Sequence, residues 1–151
     1  MSQFCGPRRA PRGGVDRVAG AADALAVVNM AMSSPGRAET IVLVLDRDHR
    51  GRSIAIVDGT DHDDAVLVVV ERLSGALAAA DAGGALVVAT VRLGRGPDPG
   101  DADRWLDASD TAERNGIELL EWFVIEIGTV RGEPMVSCPR DLLAEAPRWP
   151  I

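Results

Sequence analysis

The sequence predicts a single α/β domain. Apolar runs of strand length alternate with stretches in which apolar residues recur every three or four positions, and polar or Gly/Pro-rich turns separate them. The chain has 151 residues, which is the size of one domain, and 46% of them are hydrophobic. Because only 3% are aromatic, we expect a core of Leu, Val, Ile and Ala.

The elements are predicted in the order α-β-β-α-β-α-β-β-α. A polar turn between the first two strands favours a hairpin, and the third strand is apolar throughout, which predicts a central place in the sheet. In chain order, the predicted elements span residues 16–32, 41–45, 53–57, 65–80, 85–90, 101–115, 117–127, 133–137 and 140–146.

The chain divides into a tail, residues 1–14, and one domain, residues 15–151. The tail (MSQFCGPRRAPRGG) combines Gly, Pro and Arg without periodicity, which is typical of a flexible segment. It lacks the apolar core of a secretory signal, and no apolar run is long enough to cross a membrane. Cys5 and Cys138 form neither a disulfide framework nor a zinc cluster. We therefore expect a cytoplasmic protein with no membrane partner.

The net charge and the spacing of the glycines exclude some classes of ligand. The tail carries three arginines and no acid, so the domain carries a net charge of −10 within the total of −7. Nucleic-acid phosphates need a basic surface, and nucleic acid is therefore not expected as a partner. The Gly94-x-Gly96 pair lacks the third Gly and the Lys of a phosphate loop. No cofactor is expected.

Residues 39–46 (ETIVLVLD) begin with Glu, continue as an apolar run and end with Leu-Asp. Gly59-Thr60 follows the second strand, and an Ala-rich helix then leads to an apolar strand. In these features the first half of the chain resembles the RadC-type branch of the JAB/MPN fold.

The second half carries the more specific matches. Residues 97–103 (PDPGDAD) match the family's Pro-x-Pro-Ser-x-x-Asp, and residues 116–125 (GIELLEWFVI) match Gly-Ile-x-Leu-Leu-Asp-His-x-Ile. Val136-Ser137 stands where the family has an aromatic residue and Ser before its last helix. The resemblance covers about two-thirds of the chain. It implies a cytidine-deaminase-like three-layer sandwich with a mixed central sheet.

The same resemblance implies that the zinc site of the family is lost. In active members, a His-x-His pair and an Asp hold Zn²⁺, a Glu takes the proton of the bound water, and a Ser helps to stabilise the oxyanion. The His positions are Thr90 and Arg92 here, the Ser position is Gly100, and Asp103 and Glu39 are retained. Thr90 is a weak neutral ligand, and Arg92 stays protonated and cannot coordinate. We expect no bound metal.

Two hypotheses concern the guanidinium of Arg92. In the first, Arg92 replaces the metal and pairs with Glu39 and Asp103, whose carboxylates would otherwise repel each other. In the second, Arg92 points to solvent from the loop after the third strand.

The favoured interpretation is a non-catalytic interaction or scaffold protein whose partner is an unidentified protein or a second copy of the chain. One alternative is a small-ligand or anion binder that uses a remnant pocket, with Arg92 and Arg95 as ligand-binding candidates. The pocket candidates are Glu39, Thr90, Arg92 and Asp103. Another alternative is a metal-independent enzyme that uses Glu39 and Asp103 as acid and base.

The histidines and tryptophans favour structural roles. His49 and His62 fall in turns, away from the expected site. Packing is expected for Trp105 and Trp122, and Trp149 near the C-terminus predicts docking onto its own domain or onto a second copy.

Overall fold

A computed structural model describes residues 9–128, 134–143 and 149. Within these residues the chain forms three α-helices, a five-stranded mixed sheet and one 3₁₀ helix. In chain order, the elements are α1 (Ala21–Ala31), β1 (Glu39–Leu45), β2 (Gly51–Asp58), α2 (Ala65–Ala79), β3 (Ala85–Leu93), α3 (Asp101–Arg114), β4 (Glu118–Ile127), β5 (Met135–Ser137) and the 3₁₀ helix (Pro139–Leu142).

The predicted order of elements is confirmed across the described residues. The last helical turn is 3₁₀ rather than α, and residues 144–146 of its predicted span lie outside the described residues, as does residue 133 of the predicted fifth strand. Of the predicted tail, residues 1–8 also lie outside them. The described part of the tail is joined to the domain, since Gly14 N–H donates to the Gly51 carbonyl at 2.7 Å.

The strands lie in the order β2-β1-β3-β4-β5. The hairpin of β1 and β2 is confirmed, and β3 is the central strand, as predicted. β1 is antiparallel to both of its neighbours, β3 and β4 are parallel, and β5 is antiparallel to β4. β1 is buried along its whole length, which explains its uninterrupted apolar sequence.

Helices cover both faces of the sheet, so the predicted α/β class with a mixed sheet is confirmed. Successive side chains of a strand point to opposite faces, and each face therefore has its own cluster. On one face α2 and α3 pack on Val42, Val44, Leu86, Val88 and Trp122. On the other face α1 packs on Ile41, Leu43, Leu45, Val87 and Val91.

The tryptophans are packing residues. Trp105 and Trp122 belong to the cluster beneath α2 and α3, as expected. Trp149 packs against the cluster beneath α1, so its docking is within the chain. Across the described residues, none of the helices combines the length and the apolar character needed to cross a membrane.

The largest differences from the predicted boundaries are at the start of α1 and the end of β3, and both result from tertiary pairing. α1 begins at Ala21, not at residue 16, because Arg17 forms a β-bridge with Arg50 and Val18 N–H donates to the His49 carbonyl at 2.7 Å. β3 continues to Leu93 because it pairs in parallel with β4 as far as Ile127. Arg92 therefore lies in the central strand rather than in a loop.

Candidate functional site

Glu39 and Arg92 lie on opposite faces of the sheet. Glu39 is opposite Val91 in the antiparallel pair of β1 and β3. It therefore shares the α1 face with Val91, whereas Arg92, one residue further on, points to the α2–α3 face. The hypothesis that Arg92 pairs with Glu39 and Asp103 is wrong. Strand alternation points Arg92 away from Glu39, and on its own face Arg92 contacts the buried Asp101 rather than the exposed Asp103.

The partner of Arg92 is Asp101, at the start of α3. Arg92 Nη1 and Nη2 donate to the two carboxylate oxygens at 2.8 and 2.9 Å, so the contact is bidentate. The side chains are 2% and 0% exposed. Nη1 also donates to the Gly96 carbonyl at 3.1 Å, which ties down the loop between β3 and α3. The alternative that Arg92 points to solvent is therefore also wrong.

Arg92 and Asp101 belong to a larger group of charges, here called the arginine–aspartate cluster. The cluster lies where β3 ends and where α2 and α3 begin. It consists of Arg92, Arg95, Arg104, Asp63, Asp64, Asp98 and Asp101.

Arg104 connects the parts of the arginine–aspartate cluster. Its guanidinium donates to Asp98 at 2.7 Å, to Asp64 at 2.9 Å and to Asp101 at 3.2 Å. Asp64 stands at the N-cap of α2 but makes no capping bond there. Its carboxylate contacts Arg104 instead, so the cluster joins the two helices.

Arg95 is engaged at the rim of the cluster. Its guanidinium pairs with the carboxylate of Asp63 and donates to the Asp61 carbonyl at 2.9 Å. Both candidate anion-binding arginines, Arg92 and Arg95, therefore already contact carboxylates.

The cluster fixes the charge of its buried carboxylate. Burial by itself raises the pKa of Asp101, but hydrogen bonds from Arg92, from the Asp98 N–H and from Arg104 outweigh it, so the pKa lies below the usual value. The pKa of Asp98 is lowered as well, chiefly by its hydrogen bond from Arg104. Both groups are therefore anions at neutral pH, as counterions to the arginines.

Thr90 has a structural contact on the same face as Arg92. Its Oγ1 accepts a hydrogen bond of 2.9 Å from Trp122 Nε1, and both residues are buried. The Trp122 ring also lies beneath the guanidinium of Arg92, 5.9 Å from its centroid. Of the remnant-pocket candidates, Thr90 and Arg92 are therefore brought together, around Trp122.

Glu39 is held by the segment that follows α1. One carboxylate oxygen accepts from Ser33 Oγ at 2.6 Å and the other from Ser33 N–H at 2.9 Å. Arg37 Nε lies 3.6 Å away. The carboxylate is 1% exposed, so its contacts are internal.

Asp103 and Gly100 also depart from the pattern of a zinc site. Asp103 is exposed on α3. A Cβ added at Gly100, the Ser position of the resembled family, would lie 3.0 Å from Arg104 Nη1 and 3.1 Å from Asp98 Oδ2. A serine there would require these two charged groups to shift.

The residues at these positions do not fit a zinc ion. Arg92 offers only donors and is neutralised by Asp101, the Thr90 oxygen accepts from Trp122, and Glu39 lies across the sheet. In the described part of the chain, no three His, Cys, Asp or Glu side chains are arranged to hold a metal ion. His49 lies in the turn after β1 with φ of 63°, and its Nε2 is 4.0 Å from Oε2 of Glu118. His62 is exposed.

The chain has a cavity away from these residues. It measures about 310 Å³ and lies on the α1 face beside β2. Its lining is mainly apolar and includes Val18, Val27, Leu43 and Ile54.

Sequence reasoning missed Asp101 as the partner of Arg92, and it missed Arg104 as a second arginine that contacts the same carboxylate. Asp101 lies in the first turn of α3, where an acid is favourable whatever its partner. One signal was present: Asp101 and Arg104 are three residues apart on a helix, which places them side by side. The 0% exposure of Asp101 could not be deduced from that spacing.

A second buried ion pair joins the 3₁₀ helix to β4 and lies against Trp105 of α3. Arg140 Nη1 contacts Glu121 Oε2 at 3.2 Å and donates to the Leu120 carbonyl at 2.9 Å. Its guanidinium also lies over the ring of Trp105, 5.2 Å from the centroid. Burial raises the pKa of Glu121, and the charge of Arg140 opposes this only in part.

Replacing Glu121 by Gln is expected to make the protein relatively more stable as the pH rises. The folded-state pKa of Glu121 lies above the unfolded value, so the wild type loses stability as the pH rises through the window between these two values. Gln does not titrate and lacks this loss. Urea unfolding of both proteins from about pH 4 to about pH 8 measures the difference.

Glu71→Gln makes the same change at an exposed position of α2 and is the matched control, and it should change the free energy of unfolding by no more than about 0.5 kcal/mol. A Glu121→Gln difference that stays constant with pH would contradict the raised pKa.

The roles assigned to these residues rest on the contacts, burial and charges of this chain. A scan against protein-family models and searches of curated proteins and of solved structures found no match to it.

Proposed function

We propose that this chain is a non-catalytic interaction or scaffold domain that acts in the cytoplasm. In this proposal it retains the scaffold of a RadC-type JAB/MPN domain and has replaced the zinc site by a structural ion pair. The observation that carries the proposal is the buried, bidentate contact of Arg92 with Asp101. The resemblance aligns Arg92 with one of the family's metal-binding histidines.

The contacts of the arginines weigh against an anion-binding site. Arg92, Arg95 and Arg104 each contact at least one aspartate. An incoming anion would have to displace a carboxylate that is already hydrogen-bonded, which removes most of the gain from binding. A scaffold role needs no such displacement.

The positions of the two retained carboxylates weigh against acid–base catalysis. Glu39 is buried on the α1 face, whereas Asp103 is exposed on α3, which packs on the opposite face. A general acid and a general base must both reach one substrate, within hydrogen-bond distance of the proton that moves. A five-stranded sheet lies between these two groups.

An exposed apolar edge supports an interaction role. β2 is an edge strand, and Ile54, Ile56 and Val57 on it are 50%, 45% and 37% exposed. Unpaired edge strands with exposed apolar side chains are templates for pairing with another chain.

The proposal predicts that the protein will not retain zinc. After exposure to excess zinc and desalting, the purified, untagged chain should carry no stoichiometric metal by mass spectrometry, because Arg92 is a fixed cation at the site and Thr90 is a weak ligand. About one zinc per chain would contradict the proposal and would support a metal-dependent activity like that of active members of the resembled family.

A variant that lacks both histidines, His49→Ala with His62→Ala, is the control for that measurement. Loss of retained zinc in this variant would assign the metal to the histidines. Retention in both proteins would assign it to carboxylates or to the cysteines, Cys5 and Cys138.

A further inference from the structure

Among the described residues, the outer edge of β2 has no backbone partner over a defined length. At its start, the segment before α1 occupies the edge, through the bridge of Arg17 with Arg50 and the hydrogen bond of Gly14 to Gly51. These contacts stop at Gly51. From Arg52 to Asp58, no backbone partner lies on the outer side of the strand among the described residues.

Symmetry restricts how such an edge pairs with a copy of itself. In antiparallel pairing, two directly opposite residues either exchange both of their backbone hydrogen bonds or exchange none. Successive residues of one strand alternate between these two kinds, so two residues an odd number of positions apart cannot stand opposite each other in two copies of the same strand. A two-fold axis therefore passes between one residue and its own copy. The central residues of the free edge, Ile54, Ala55 and Ile56, are the three candidates for the axis.

On the α1 face, only one of the three registers places isoleucine opposite isoleucine and Arg52 opposite Asp58. With Ala55 on the axis, Ile54 lies opposite Ile56 of the second copy, and Arg52 lies opposite Asp58. With Ile54 on the axis, Arg52 would lie opposite an isoleucine. With Ile56 on the axis, Asp58 would lie opposite an isoleucine. Directly opposite residues share a face, so these pairs make contact.

The exposure of these residues fits this register. Ile54 and Ile56 are 50% and 45% exposed. They stand opposite Leu43 and Ile41 of β1, so both lie on the α1 face. The side chain of Asp58 is 60% exposed, and its contact with Arg37, at 3.3 Å, is at the surface. Arg52 is also exposed. It lies in the β-bulge at the end of the regular stretch, and its long side chain spans the added distance.

We infer that β2 pairs with β2 of a second copy of this chain, with the two-fold axis at Ala55. This pairing joins two five-stranded sheets into one. This inference rests on the proposed function, because it names the partner of an interaction domain. The isoleucines of the two copies form one apolar patch on the α1 face, and symmetry gives two Arg52–Asp58 ion pairs at its ends.

Charge reversal tests the register directly. Sedimentation equilibrium of the full chain from about 1 to about 500 µM should show a dimer. Arg52→Asp places carboxylates opposite each other, and Asp58→Arg places guanidiniums opposite each other. Each variant should lose about tenfold or more in dimer association, because two attractive pairs become two repulsive ones.

A mixture of the two variants should recover the dimer. In the mixed pair, both carboxylates of the Arg52→Asp chain lie opposite guanidiniums of the Asp58→Arg chain. The double variant, Arg52→Asp with Asp58→Arg, should likewise dimerise with itself. Thermal unfolding of each variant shows whether it remains folded.

Matched controls carry the same charge changes at exposed positions away from β2. They are Arg72→Asp on α2 and Asp110→Arg on α3, and both should dimerise like the wild type.

A wild-type chain that stays monomeric would overturn the inference, as would a dimer that is unaffected by charge reversal or single variants that do not recover when mixed. None of these outcomes alters zinc retention, which tests the proposed function separately.

Discussion

Replacing Asp101 by Asn is expected to lower the free energy of unfolding by about 3–5 kcal/mol. The carboxylate is 0% exposed and neutralises Arg92, whose side chain is 2% exposed, while Arg104 contacts the same carboxylate. Asn leaves the Arg92 charge buried without its counterion. The change should appear as a lower urea midpoint with an unchanged slope at neutral pH.

Asp103→Asn is the matched control, two residues along the same helix. Asp103 is exposed, so we expect a change within about 0.5 kcal/mol. A small effect at Asp101 would show that Arg92 does not depend on this partner, and the anion-binding alternative would then regain support. Since the pKa of Asp101 is lowered, its contribution is present above the unfolded pKa and is lost as the pH falls towards the folded value.

Replacing Trp122 by Ala is expected to cost about 3–5 kcal/mol of stability. Trp122 is 0% exposed and is the largest of the fully buried side chains among the described residues. It fills the space between the central strands and the helices α2 and α3. Truncation would leave a cavity and remove the ring beneath Arg92. Thermal or urea unfolding measures the loss.

Leu106→Ala, at a position of α3 that is 50% exposed, is the control for that truncation and should cost far less. A loss below about 1 kcal/mol for Trp122→Ala would contradict the described packing.

The link from Trp122 to Thr90 can be measured separately. Thr90→Val leaves the indole N–H buried without its acceptor, at a cost of about 1–3 kcal/mol. In a Trp122→Phe background the same change should cost much less, because the donor is already absent. Independent effects would show that Thr90 has a different role.

Much of the fold followed from the sequence because its signals are local. The strand at β1 is a run of residues that are apolar on both faces, and the helix α2 has more residues than a strand of a domain this size usually has. Hydrophobic periodicity and turn residues therefore predicted every described element in order. The limits of α1 and β3 required tertiary information, because the bridge at Arg17 and the pairing of β3 with β4 connect distant parts of the chain.

The candidate site separates more clearly what the sequence determines from what the tertiary structure determines. The sequence by itself determined that residue 92 is an arginine, which cannot coordinate zinc. Only the tertiary structure decided its partner. Strand register placed Glu39 on the other face, and the return of the loop into α3 brought Asp101 within 2.8 Å. A residue's chemistry is fixed by its type, whereas its neighbours depend on register and on the packing of helices, which act between residues far apart in sequence.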